Sequence, residues 1–274
     1  MGNKEANKKK VNHNVVSNRT AGNKIEQEYR AKQEPVRLNK YLSEAGVCSR
    51  READKLIESG VVSIDGKCAQ MGMKVIPGQV VRVGKKIVSK QDEMVVLAVN
   101  KPVGIVCTEE KRERNSIVRF LNYPIRVTYV GRLDKDSRGL LLMTNNGDII
   151  NKMMRAGNLH EKEYKVIVDK AITNEFLNQM SSGVAILDTV TRPCRVRKIG
   201  KYTFSIILTQ GLNRQIRRMC EALGYQVKDL QRTRIMNIEL GNLKEGEYRK
   251  LTDEELNCLY DQIKDSSNDT VIWE

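Results

Sequence analysis

Two apolar runs, "MVVLAV" at 94–99 and "LLLM" at 140–143, constrain the fold most. Each is short, uninterrupted and flanked by polar turn formers, the pattern of a buried strand. Around them the chain mixes strands with single helices. "EYKVIVD" reads as a strand and "NEFLNQMSSG" as a helix ended by Gly183, while "RPCRVRKIG" and "YTFSIILT" read as a hairpin turning at Gly200-Lys201. Asp148 is expected to cap a helix that buries Ile149, Ile150, Met153 and Met154 and stops at Gly157. In "NRQIRRMCEALG", Ile216, Met219, Cys220 and Leu223 share one helical face and Arg214, Arg217 and Arg218 gather on the other, with Asn213 as the cap and Gly224 as the stop. The expected fold class is α+β, with a mixed, largely antiparallel sheet.

The 274 residues leave room for about two domains, and an apolar content of 40% supplies a core. Lys and Arg number 48 against 34 Asp and Glu, a net charge of +14. Such an excess calls for an anionic partner, nucleic acid first. A membrane surface is the rival, but the sequence has neither a long apolar run nor a signal-peptide core, so no membrane partner is expected. Six cysteines never form a C-x-x-C pair, and they read as buried, reduced thiols of a cytoplasmic protein. With only His13 and His160, a histidine triad or multi-histidine metal site is disfavoured. "GVVSIDGKC" fails as a phosphate loop in both spacing and final residue, and no G-x-G-x-x-G occurs. The expectation is an enzyme or binder needing no metal and no cofactor.

Residues 1–34 carry eight Lys or Arg, four Glu and no apolar period, as a mobile basic tail would. Order is expected from Pro35. "RLNKYLSEAG" places Leu38, Tyr41, Leu42 and Ala45 on one helical face, and a second helix starts with a Ser49/Glu52 capping box and ends at Gly60. A strand, an Asp65-Gly66 turn and the strand "GQVVRV" follow. Residues 35–83 form the first module and the polar 84–93 the linker; a second domain covers 94–264, and 265–274 is a tail. From Pro35 to Lys90, eleven Lys or Arg face five Asp or Glu. Arg37, Lys40, Arg50, Arg51 and Lys55 can reach a common side, either as a solvated face or as a phosphate-binding one. Over about fifty residues, "RLNKYL", "SRREADKLI" and "GVVSIDG" resemble the S-four-like RNA-binding module, which implies RNA as the partner.

"VGRLDKDSRG" sets Asp134 between Arg132 and Lys135 at the mouth of the second buried strand. Alone, it reads as a loop residue bonding its own backbone rather than a catalytic acid, since Asp136, Ser137 and Gly139 are turn formers. Arg217, on the border between the two faces of its helix, has the position of a partly buried guanidinium that needs a carboxylate. One acid without a second carboxylate points away from ordinary glycoside hydrolysis. On an RNA substrate it suggests rearrangement at a nucleoside, such as uridine to pseudouridine.

"GRLDKDSRGLLLMT" resembles the signature of RsuA-type pseudouridine synthases. "NKPVG", "EKEYKV", "GLNRQIRRM" and "LQRTRI" match in order and spacing over residues 36 to 262, most similar to the RluF branch, which acts on large-subunit ribosomal RNA. The resemblance implies an isomerase working on 23S ribosomal RNA by base flipping, expected as a monomer. It makes Asp134 the nucleophile or base, Arg217 its ion-pair partner and Tyr164 the stacking residue. Arg132 would fill the space of the flipped uridine, Leu230 would form an apolar wall, and Lys101 and Pro102 would shape the loop beneath. Arg214 and Arg218 join the RNA-binding set. A non-catalytic RNA-binding protein that kept the fold is the alternative.

Overall fold

A computed structural model of the chain describes residues 35–89, 94–110, 112–154 and 159–266. The expected basic tail, the helix stop at Gly157 and most of the C-terminal tail lie outside the described residues. The chain divides into two compact units, one up to Lys90 and one from Gln91.

The first unit opens with β1 (Val36–Arg37), α1 (Leu38–Glu44) and α2 (Arg50–Glu58). The capping box forms as read: Ser49 Oγ accepts from Glu52 N–H, and the Glu52 carboxylate accepts from Ser49 N–H at 3.0 Å. Leu38, Leu42, Ala53 and Ile57 close over a small sheet of β2 (Val62–Ile64), β3 (Lys67–Cys68), β5 (Val81–Val83) and β6 (Lys86–Val88); β4 (Lys74–Val75) pairs β1 instead. Asp65 and Gly66 both take positive φ, 50° and 79°, in the turn joining β2 to β3. The linker expected at 84–93 is corrected by β6, whose residues 86–88 pair with β5. A two-residue Gly84-Lys85 turn returns the chain there, and polarity alone could not tell an edge strand from a connector.

The second unit is built on a sheet of nine strands. Its strands are β7 (Val96–Lys101), β8 (Thr128–Val130), β9 (Arg138–Thr144), β10 (Lys162–Val168), β13 (Arg195–Gly200), β14 (Thr203–Leu208), β15 (Val227–Ile235), β16 (Ile238–Glu239) and β17 (Tyr248–Lys250). A separate hairpin joins β11 (Ala185–Ile186) to β12 (Thr189–Val190). The main order is β13-β14-β10-β15-β9-β7-β17, and every pairing is antiparallel except β15 with β9. The apolar runs have a direct cause. Ala98, Leu140 and Leu142 pack against α4 (Gly147–Met154) and α7 (Asp253–Ile263), while Leu97, Val99, Leu141 and Met143 pack on the opposite face with α3 (Ile117–Leu121). Strands covered on both faces need no polar alternation. The other half of the sheet buries Phe176 of α5 (Asn174–Ser182) edge-on against Phe204, with ring centroids 5.4 Å apart, beside α6 (Gln215–Ala222).

Local expectations shift in four places. Asn146, not Asp148, caps α4, its Oδ1 accepting from Asp148 N–H at 2.9 Å; Ile149 and Met153 are buried but Met154 is exposed. The N-cap of α6 is Arg214 at φ 50°, and Asn213 instead accepts from the Arg218 guanidinium. The β13–β14 hairpin turns at Lys201-Tyr202, with Gly200 paired to Thr203. Cys107 and Cys220 are buried as expected, but Cys68 and Cys258 are exposed. Among the described residues no helix is long and apolar enough to cross a membrane.

Candidate active site

The two halves of the sheet meet where β15 runs parallel to β9, with Arg232 opposite Gly139. Gly139 is a strand residue here, not a turn former: at φ 103° a Cβ on it would lie 2.3 Å from Arg232 O, so glycine alone lets the two backbones close. Arg138 locks the same joint by donating to both carboxylate oxygens of Asp229 at 2.9 and 2.8 Å. The loop entering β9 therefore projects from a fixed seam, and that loop carries Asp134.

Three hydrogen bonds hold the loop from below and within. Ser137 N–H donates to Asp134 O at 3.1 Å, Gly104 N–H to Lys135 O at 2.8 Å, and Leu133 N–H to Cys107 Sγ at 3.5 Å. Lys101 is fully buried and donates from Nζ to Pro102 O at 2.9 Å and Ile105 O at 2.8 Å. Burial lowers its ammonium pKa, opposed by Cys107, Asp134 and Asp136. Lys101 thus clamps the turn on which Gly104 meets the Asp134 loop.

Above the seam lies a cleft of about 350 Å³ whose lining includes Asp134, Arg132, Tyr164, Leu230, Arg214 and Arg232. Five of the residues singled out in the sequence are thereby brought together. Asp134 keeps about a third of its side chain accessible and Arg132 is exposed, whereas Leu230 is buried. An accessible carboxylate beside an aromatic ring and an apolar wall suits attack on a nucleoside whose base has left its stack. Lys101, Pro102, Arg217 and Arg218 stand outside the cleft lining.

The expected ion pair between Arg217 and Asp134 is not made. Arg217 donates from Nη2 to Asp136 O at 2.8 Å and holds Nε 3.4 Å from the Asp136 carboxylate. Arg214 donates to both Asp136 carboxylate oxygens, at 3.1 and 2.9 Å, and stands 3.8 Å from Asp134 Oδ2. Arg214 itself has a left-handed backbone, at φ 50° and ψ 34°. The Arg214 hydrogen bond, aided by Arg217 and opposed by burial, holds the Asp136 carboxyl below its ordinary value. Asp136, treated as a turn former from sequence, is thus the anion that anchors both arginines.

Sequence reasoning also missed Lys162 and Arg232. Each lies two residues from a residue singled out for the site, Tyr164 and Leu230, and period-2 alternation was the signal that could have found them. In the first unit Arg37, Arg50, Arg51 and Lys55 are exposed, while Lys40 pairs with Glu44 at 3.5 Å. No cluster of His, Cys, Asp and Glu that could hold a metal ion occurs among the described residues.

Residues 95–222 match the family model for RNA pseudouridylate synthase, and residues 36–81 match that for the S4 domain. The chain is 56% identical over 236 residues to the dual-specificity RNA pseudouridine synthase RluF of Escherichia coli K12, covering 85% of this chain and 81% of the relative. It is 35% identical to the ribosomal large subunit pseudouridine synthase B of Bacillus subtilis, covering 81% of this chain and 95% of the relative. A crystal structure of a pseudouridylate synthase superposes with a TM-score of 0.61 at 27% identity, covering 82% of this chain and 99% of that one.

Proposed function

This chain belongs to the RNA pseudouridine synthase family and is an isomerase acting on RNA, and from that premise we propose that its substrate is a uridine of 23S ribosomal RNA. The observation that carries the reading is the accessible Asp134 carboxylate at the lip of a cleft that also holds Tyr164. Arg132 enters the gap left as the uridine swings out, and Tyr164 stacks on the base. Asp134 acts on the ribose, as nucleophile at C1′ or as base. The N1–C1′ bond breaks, the ring turns, a C5–C1′ bond forms, and a proton leaves C5 while one is taken up at N1. Arg217, through Asp136, positions the loop rather than touching the reacting atoms. In the first unit the exposed Arg37, Arg50, Arg51 and Lys55 and the half-buried Lys40 hold RNA phosphates, and in the second unit the exposed Arg214 and the half-buried Arg218 do the same. The protein acts as a monomer in the cytoplasm without metal or cofactor.

Purified protein is incubated with 23S ribosomal RNA in excess EDTA, and pseudouridines are mapped. Formation at one position supports the proposal. Formation only after metal is restored overturns the cofactor-free part, and no formation in 23S RNA while another RNA is modified overturns the substrate.

A further inference from the structure

The back of the cleft is lined with donors that the mechanism above leaves unused. Arg232 is 2% exposed; its Nε donates to Leu140 O at 2.7 Å, but Nη2 is buried without a partner among the described residues. Gln210 Nε2 lines the same cleft and is likewise buried and unpartnered. Lys162 gives one hydrogen bond, to His160 O at 3.2 Å, and makes no ion pair among the described residues. Buried donors left unmatched are costly, and buried cations without a counter-ion more so. Such a cluster is tolerable where a transient anion fills it.

Register and depth identify that anion. Arg232 faces Tyr164 across β10 and β15, beside a bulge in the pairing, and Lys162 shares the strand face of Tyr164. Both cations therefore flank the ring on which the base is stacked in the reading above, on which this inference rests. Arg132 and Arg214, which line the same cleft, are exposed, whereas Arg232 is buried and Lys162 half-buried.

We propose that Lys162 and Arg232 form an oxyanion site for the uracil ring during the interval when it is detached from the ribose. As N1–C1′ breaks, its electron pair departs with the ring and spreads over N1, O2 and O4. The pair is used again when C5 bonds to C1′, which leaves the ring neutral, and a proton then leaves C5 while one is taken up at N1 to give the product. Because the oxygens carry charge only in that interval, these donors bind the detached ring more strongly than the substrate.

Burial, with a smaller push from Arg232, brings the Lys162 ammonium down to about 8. The charged and titratable groups facing it from the cleft walls are Arg132, Asp134, His160, Tyr164, Arg214 and Arg232, and its strand partners Leu208 and Ile235 are apolar. Wild-type single-turnover rate should thus fall as pH rises through the Lys162 pKa and its charge is lost.

The test uses the full chain and an RNA that the wild type modifies. Lys162→Gln should slow single turnover at saturating RNA on the order of a hundredfold, with Kd for RNA unchanged within about twofold. Lys162→Arg should restore most of the rate and stay flat for about one pH unit beyond the wild-type decline, because a guanidinium keeps its charge. A weaker Kd and flatter salt dependence with unchanged rate would make Lys162 a phosphate ligand and overturn the proposal. So would an unchanged Lys162→Gln rate, or a Lys162→Arg profile that falls at the wild-type pH. Should Lys162→Gln not fold, the Lys162→Arg profile decides alone. Failure here leaves wild-type pseudouridine formation and its dependence on Asp134 intact, so the two readings fail separately.

Discussion

Arg217 reaches the main-chain oxygen of Asp136 at 2.8 Å, so the guanidinium braces the loop that presents Asp134 without pairing with Asp134 itself. It also reaches Ser137 Oγ and Val227 O, both at 3.4 Å, tying α6, β15 and the loop together. Arg217→Lys keeps the charge but not the planar fork. Single-turnover rate should drop about tenfold or more with RNA affinity unchanged. An unaltered rate would remove the bracing role.

Asp136→Asn tests the anchor from the other side. The native carboxyl titrates below its ordinary value, so its stabilising contribution is present above the unfolded pKa and disappears as pH falls through the folded one. The melting temperature of Asp136→Asn should therefore lie below that of the wild type at pH 7, and the two should converge below the ordinary carboxylate range. A constant difference at all pH values would contradict the pairing with Arg214 and Arg217.

Asp134→Asn should abolish isomerisation while RNA remains bound, because a neutral amide can neither attack a sugar carbon nor take a proton. Near wild-type turnover in this variant would refute the assignment of Asp134.

Gly139→Ala probes the seam. With a Cβ 2.3 Å from Arg232 O, β9 and β15 must part, and the loss of stability should be about 3 kcal/mol or more. Denaturant unfolding measures it; a change under about 1 kcal/mol would show that the strands separate freely.

Arg50 and Arg51, both exposed on α2, are expected to meet phosphate. Replacing both with Ala should weaken RNA binding and reduce the salt slope by about one unit for each phosphate that is no longer neutralised. Turnover at saturating RNA should hold, separating binding from chemistry.

What the sequence determined by itself was decided within a few residues. The Ser49/Glu52 capping box, the Asp65-Gly66 turn, the stop at Gly183 and the buried β7 and β9 each depend on neighbours in the chain, so pattern sufficed. Where two cap formers stood close together, as at Asn146 and Asp148, the pattern located the helix start but not which residue makes the bond. β6 was hidden for a related reason, since a polar edge strand and a linker share a composition. The motifs placed Asp134, Tyr164 and Leu230 in one site, yet tertiary structure alone decided who pairs with whom. Arg217 chose Asp136 over Asp134 across 81 residues of chain, and Arg232 came beneath the cleft only because β15 runs parallel to β9 at Gly139. Such choices depend on strand register and on how closely backbones approach, and a difference of two residues in one loop reverses which carboxylate a guanidinium can reach.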